Sequence, residues 1–256
     1  MVSTVTLEGI KKAVFFPFRG EKWGIKVLIG SALCFGSFII VPAIPMFGYF
    51  GQIMKRIIVQ DEDPELPEWN DWGTLFQDGI KLFGAVLIYL LPALVLTIGG
   101  SILFIVLDFS LAFSSAAYTQ YSSNPFTMSM LGNMIGMFGG MAVMMLGFVV
   151  AFVTIIFITP ALGNMIAKGD FGAAFRFKEW WPVLKANLSG YILAVAIALG
   201  LFYLMYMMAM VLYATVILCF LLPFVFSFIV FISSVIGFSI FAIAYRDGVR
   251  ELAEAS

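Results

Sequence analysis

Charged side chains in this sequence are confined to a few short segments, and that confinement decides what the chain can fold into. No Asp, Glu, Lys or Arg occurs from Val27 to Met54, from Leu82 to Leu107, from Phe109 to Ala167, or from Ala186 to Tyr245. About a quarter of the residues of an ordinary soluble domain are charged; here the share is 11%, against 62% hydrophobic. About 20 consecutive apolar residues let a helix cross a hydrocarbon core. The expected fold is therefore an all-α polytopic membrane protein, a single membrane domain over residues 1–256.

The runs resolve into three hairpins, six membrane-inserted helices in all. Residues 1–23 read as an interfacial arm, with Leu7, Ile10, Val14 and Phe18 on one helical face and Lys11 and Lys12 on the other. Residues 24–60 form a short first hairpin, Gly24–Val41 and Met46–Gln60, broken by Pro42 and Pro45. Both arms fall short of a full crossing, so they read either as two shortened spans or as a re-entrant hairpin. Irregular backbone at membrane depth survives only where protein or water covers it. Residues 61–79 read as an acidic turn and an amphipathic helix, and 80–158 as the second hairpin. In that hairpin a span from Ile80, kinked at Pro92, is joined to Met130–Ile158 by a loop over Asp108–Ser129. Residues 159–186 form a polar connector, 187–245 the third hairpin and 246–256 a charged tail. If the turns at Pro42, Asp108–Ser129 and Ala214–Val216 share the far side, every charge except Asp108 falls on the near side. The positive-inside rule then puts both termini in the cytoplasm. The run after Lys11 and Lys12 is too short, before Pro17, for a cleavable signal.

The longest polar segment is Asp61–Asp78, with seven of the fifteen acidic residues and no basic one. Pro64 and Pro67 hold its first part extended. Trp69, Trp72, Leu75, Phe76 and Gly79 then recur at helical spacing. Asp61, Glu62, Asp63, Glu65, Glu68, Trp69 and Trp72 are the candidate docking residues for a partner. The alternative is an internal ion-pair network with Lys11, Lys12, Arg19, Lys22 and Lys26. A calcium loop is not expected: counted from Asp61, the glycine position holds Leu66 and the closing glutamate position holds Trp72.

The opening Pro17-Phe18-Arg19 and Trp23, then Gly48-Tyr49, Lys55-Arg56, Leu66-Pro67-Glu68-Trp69, Asp71-Trp72 and Phe76-Gln77-Asp78-Gly79, resemble the pattern of the DUF4013 family of integral membrane proteins of archaea and bacteria. These motifs cover about the first third of the chain, and beyond them the likeness is one of hydrophobic layout. The resemblance implies a membrane fold and carries no activity.

Elsewhere, Met130, Met134, Met137 and Met141 form a stripe at helical spacing, and Gly132, Gly136 and Gly140 repeat every fourth residue. Both read as a helix-packing face. Tyr203, Tyr206 and Tyr213 share one side of their helix, for interhelical contact or a polar path. Glu68-Trp69 after Pro45, and Glu179-Trp180 after Pro160, suggest a weak internal repeat. Asn187 begins a sequon at the start of a span, on the charged side, where glycosylation is not expected. Cys34 and Cys219 lie in apolar runs and read as free thiols.

There is no histidine, which removes the commonest metal ligand and proton shuttle. No P-loop, GxSxG or HExxH occurs. A net charge of −1 offers no field for nucleic acid. No catalytic residue, metal or cofactor is expected. The expected function is a non-catalytic scaffold or accessory subunit, bound to the bilayer and to other membrane subunits or to copies of itself. The alternative is a permease or channel for a small neutral or apolar solute, with its path near Pro42–Pro45 and Tyr203.

Overall fold

A computed structural model gives the fold and describes residues 12–118, 128–214 and 220–254. Seven long or medium α-helices occur among them: α1 (Trp23–Gly36), α2 (Ala43–Ile58), α3 (Trp72–Tyr118), α4 (Met128–Lys168), α5 (Phe177–Ala186), α6 (Leu188–Ala214) and α7 (Leu222–Glu254). Residues 12–15 are also helical. Short 3-10 turns at Phe16–Phe18, Ser37–Ile39 and Phe171–Phe175 punctuate the chain. No strand occurs among the described residues.

Four helices, α3, α4, α6 and α7, are long and apolar enough to cross a bilayer. α1 has 14 residues and α2 has 16. At 1.5 Å per residue they extend about 21 and 24 Å, below the ~30 Å of hydrocarbon. Between them Phe38, Ile39, Ile40 and Val41 are all exposed, and Ile40 takes a φ of 56°, rare for a β-branched side chain.

Several sequence boundaries move. The expected loop over Asp108–Ser129 is mostly helix: α3 continues to Tyr118 and α4 begins at Met128. The reason is local, since residues 109–118 hold neither glycine nor proline, three of them are alanine, and a helix absorbs their serines. Residues 119–127 lie outside the described part. The amphipathic helix expected near Trp72 is not a separate element but the first turns of α3. Pro92 and Pro160 both sit inside continuous helices, so α4 carries ten residues of the expected connector.

The chain divides into two compact units. One draws on Met1–Val86 and Ile156–Ser256, the other on Leu87–Ile155. In the first, α7 is the central helix and packs against α1, α2, α5 and α6. Its Phe231 is fully buried and lies among the rings of Tyr49, Phe50 and Trp69. Gly30 makes room for that ring, since any side chain there would collide with it. α2 and α3 meet backbone to backbone: a Cβ on Gly48 would strike the Leu75 carbonyl, and one on Gly79 the Ile44 carbonyl. The second unit is a pair of helix segments in similarly close contact. Gly100 and Gly140 lie against each other's backbones, and Gly147 abuts Thr97.

Candidate functional site

The acidic stretch folds as an extended strap, Asp61–Asp71, tied down at almost every residue. Asp61, in the left-handed region at φ 57°, aims both carboxylate oxygens at Arg250 at 2.6 Å, with Arg246 at 3.3 Å. Glu62 and Glu65 share Arg56 at 3.0 and 2.7 Å. Asp63 pairs with Lys12 at 3.0 Å. All these acids remain at least half exposed, so each pair contributes little by itself.

The second half of the strap buries Leu66 and Trp69. The Lys26 ammonium, in a side chain 9% exposed, donates to the Leu66 carbonyl at 2.9 Å and pairs with Glu68 at 2.8 Å. In return the Trp69 indole donates to the Lys26 carbonyl at 3.0 Å. The Tyr49 hydroxyl donates to the Pro67 carbonyl at 3.1 Å, and its ring stacks on Trp69 with centroids 4.0 Å apart. The Leu66-Pro67-Glu68-Trp69 motif is therefore a lock: two backbone carbonyls and an indole held by α1 and α2. Asp71 then starts α3, accepting from the Thr74 amide at 3.1 Å and its hydroxyl at 2.6 Å, the geometry of an N-cap. The Thr74 hydroxyl holds the Asp71 carboxyl below the usual carboxylate range.

A second polar cluster joins α4, α5 and α7. Buried Asn164 donates to the Ala173 carbonyl at 2.9 Å and to Glu179 at 3.0 Å, and accepts from the Tyr245 hydroxyl at 3.2 Å. Glu179 pairs with Lys168 at 2.8 Å. The Lys168 hydrogen bond, reinforced by that of Asn164, lowers the Glu179 pKa. The Trp180 indole donates to the Ala174 carbonyl at 3.0 Å. Asn187 accepts from the Gly190 amide at 3.0 Å and donates to the Ala244 carbonyl at 2.9 Å. It is fully buried, a cap rather than a glycosylation acceptor.

Of the residues singled out in the sequence, the structure gathers the acidic set and both tryptophans, Trp69 buried and Trp72 exposed at 41%. Lys12 and Lys26 are the partners that the sequence anticipates. Nothing in the spacing points to Arg56, Arg246 or Arg250, the last two because they lie near the far end of the chain. Lys11 is outside the described residues; Arg19 and Lys22 make no ion pair among them. The packing face divides. Gly136 meets Leu107 and Gly140 meets Phe104, whereas Gly132 faces open space. Met134 and Met141 are exposed, and the Met130 side chain is not described. Pro45 is buried at the start of α2 and Pro42 precedes it. Tyr203, Tyr206 and Tyr213 are exposed. Cys34 is a half-buried free thiol, and Cys219 is not described. No cluster of three metal-ligating side chains occurs among the described residues.

The N-terminal end of the first unit carries a polar and an apolar cavity among its described residues. A polar cleft of about 490 Å³ lies between the N-terminal arm and the strap. An apolar groove of about 580 Å³ runs along α1 beside the start of α7.

An all-helical fold with four helices able to cross a bilayer, and ion pairs clustered at the strap and the connector, defines a multi-pass membrane protein. The chain belongs to the family described as "Protein of unknown function (DUF4013)", whose profile matches residues 34–214. That match includes the strap and the α4 and α5 residues of the second cluster, leaves out Tyr245 on α7, and begins after the Pro17–Trp23 motif. No curated protein and no solved structure matches the chain.

Proposed function

We propose that this protein is a non-catalytic subunit of a prokaryotic plasma membrane, a scaffold or accessory component that associates with other membrane helices. The observation that carries this reading is the outer surface of the Leu87–Ile155 unit. The two spans that run through it, Trp72–Ser110 and Leu131–Lys168, each bury 11% of their apolar window. Gly132 and Gly139, on one helix face two turns apart, have nothing within 4 Å of an added Cβ, beside exposed Ile135 and Phe138. Small residues on an open helix face let a second helix approach closely in lipid. The exposed tyrosines of α6 do not favour an internal solute path.

The threading that fits has α3, α4, α6 and α7 crossing the bilayer and α1–α2 entering and leaving through the cytoplasmic face. The short arms and the uncharged, exposed Phe38–Val41 tip support it. Both termini and the strap are then cytoplasmic. Gentle detergent extraction followed by mass spectrometry tests the subunit reading. A stoichiometric foreign membrane protein that is lost in Gly132→Leu and Gly139→Leu is the expected result. A lone chain or homo-oligomer, unchanged by both substitutions, overturns it.

A further inference from the structure

The turn Arg19–Gly24 separates the two cavities. Arg19 and Gly20 line the polar cleft, together with Lys12, Arg56, Glu62 and Glu65. Trp23 and Gly24 begin the apolar groove, which continues past Val27, Leu28, Ser31 and Ala32 to Phe35. These positions recur at three and four residues, so the groove follows one face of α1. From Trp23 to Phe35 it is about 18 Å long by helical rise, close to the ~15 Å of hydrocarbon in one leaflet. Its two serines have no hydroxyl donor left for an occupant. The Ser31 hydroxyl donates to the Val27 carbonyl and that of Ser227 to the Pro223 carbonyl, each at 2.7 Å. At the deep end Phe35 stacks on Phe224 with centroids 5.1 Å apart.

The cleft lining balances, Lys12, Arg19 and Arg56 against Glu62, Asp63 and Glu65, so the charge open to an anion lies in the turn itself. In the cleft Lys12 is taken by Asp63, and Arg56 by Glu62 and Glu65. Arg19, and Lys22 just before α1, have no ion pair among the described residues. Even with Glu21 in the same turn, the neck between cleft and groove carries net positive charge. Trp23 stands beside it, the residue type that settles at the level of lipid headgroups.

We propose that this turn is the neck of a phospholipid site. One acyl chain lies along α1 in the groove, and the phosphate sits against Arg19 and Lys22. A guanidinium matches a phosphate through paired hydrogen bonds, and a groove of one-leaflet length holds a chain that need not bend. This rests on the chain lying in a bilayer and is independent of the subunit reading.

The test uses full-length protein stripped of lipid in mild detergent and titrated with phosphatidylglycerol, with bound lipid counted by native mass spectrometry. One tight adduct per chain is expected. Ala32→Trp, which fills the groove, and Arg19→Glu, an exposed change that spares packing, are each expected to weaken it about tenfold or more. Ile98→Trp, on the exposed face of α3, is the control and is expected to leave it unchanged. Helix content by circular dichroism confirms that each variant is folded. The absence of a one-to-one adduct, or equal binding in Ala32→Trp and Ile98→Trp, reduces the groove to ordinary lipid contact and overturns the site. Loss in Ala32→Trp with full retention in Arg19→Glu overturns the headgroup contact.

Discussion

Lys26 and Glu68 form one ion pair with unequal consequences for their two ends. The ammonium is buried and also satisfies the Leu66 carbonyl, while the Glu68 carboxylate is 58% exposed. Truncation at Lys26 leaves a buried carbonyl without its donor, at about 1–3 kcal/mol; neutralising an exposed carboxylate removes less than about 1 kcal/mol. Lys26→Ala is therefore expected to lower the melting temperature in detergent by clearly more than Glu68→Gln, and equal shifts would show that the strap is not locked at Leu66. Glu179 supplies a pH signature. Its carboxyl titrates below the usual range because Lys168 and Asn164 bind the charged form. A depressed folded pKa means the unfolded chain binds the proton first. The contribution is then fully present above the ordinary glutamate value of about 4.3 and is lost as pH falls through the folded value. Melting temperature against pH is expected to fall less steeply below that range in Glu179→Gln than in the parent protein. Parallel curves would remove the cluster from the acid response.

At the scale of elements, the crossing of α2 and α3 is set by glycines. Gly48 and Gly79 have carbonyl groups where a Cβ would go, whereas Gly99 and Gly132 have open space. Gly48→Ala and Gly79→Ala are expected to force the helices apart at about 1–3 kcal/mol. Gly99→Ala and Gly132→Ala are expected to be neutral or stabilising by up to about 1 kcal/mol through helix propensity. Thermal unfolding of the four variants checks this, and a similar loss in all of them would put the crossing elsewhere. Sequence periodicity points to Gly132, Gly136 and Gly140 as a packing face, and the last two do pack. It passes over Gly48, and it places Gly79 on a helix face without a contact, because the need for a glycine is created by a backbone distant in sequence. The membrane helices are legible because lipid imposes a length and excludes charge. The ends of α3 and α4 are not. Ser110, Ser114 and Ser115 give the sequence after Asp108 the polarity of a loop, yet the Ser110 hydroxyl donates to the Leu107 carbonyl at 2.9 Å, and a helix absorbs such residues. The strap's partners on α7 are equally hidden, since Asp61 and Arg250 are joined only by the fold.

For the whole molecule, threading turns on the first hairpin. If α1 and α2 each crossed, Ile40–Val41 would have to reach the far interface on a first arm of Trp23–Ile39, its 3-10 turn included, and a second of 16 residues, both short of ~30 Å of hydrocarbon. Mismatch of that kind is met by thinning the bilayer or by anchoring flanking polar residues at the interface, and this tip has no charge to anchor. A hairpin that turns within the core keeps those side chains in lipid and leaves the count of crossing helices even. In the proposed threading both termini then stay with the strap on the side where the cations gather. A single cysteine at Ile40, in a chain with Cys34 and Cys219 replaced by Ala, is therefore expected to resist a membrane-impermeant maleimide from either side. Asp108→Cys in the same background is expected to react from the far side, and Glu62→Cys only from the cytoplasmic side after the membrane is opened. Labelling of the Ile40 position from outside, at the rate of the Asp108 position, would make α1 and α2 true crossings and the bilayer locally thin around them. The even count, and with it the side of the strap, would survive that result, because the two crossings cancel.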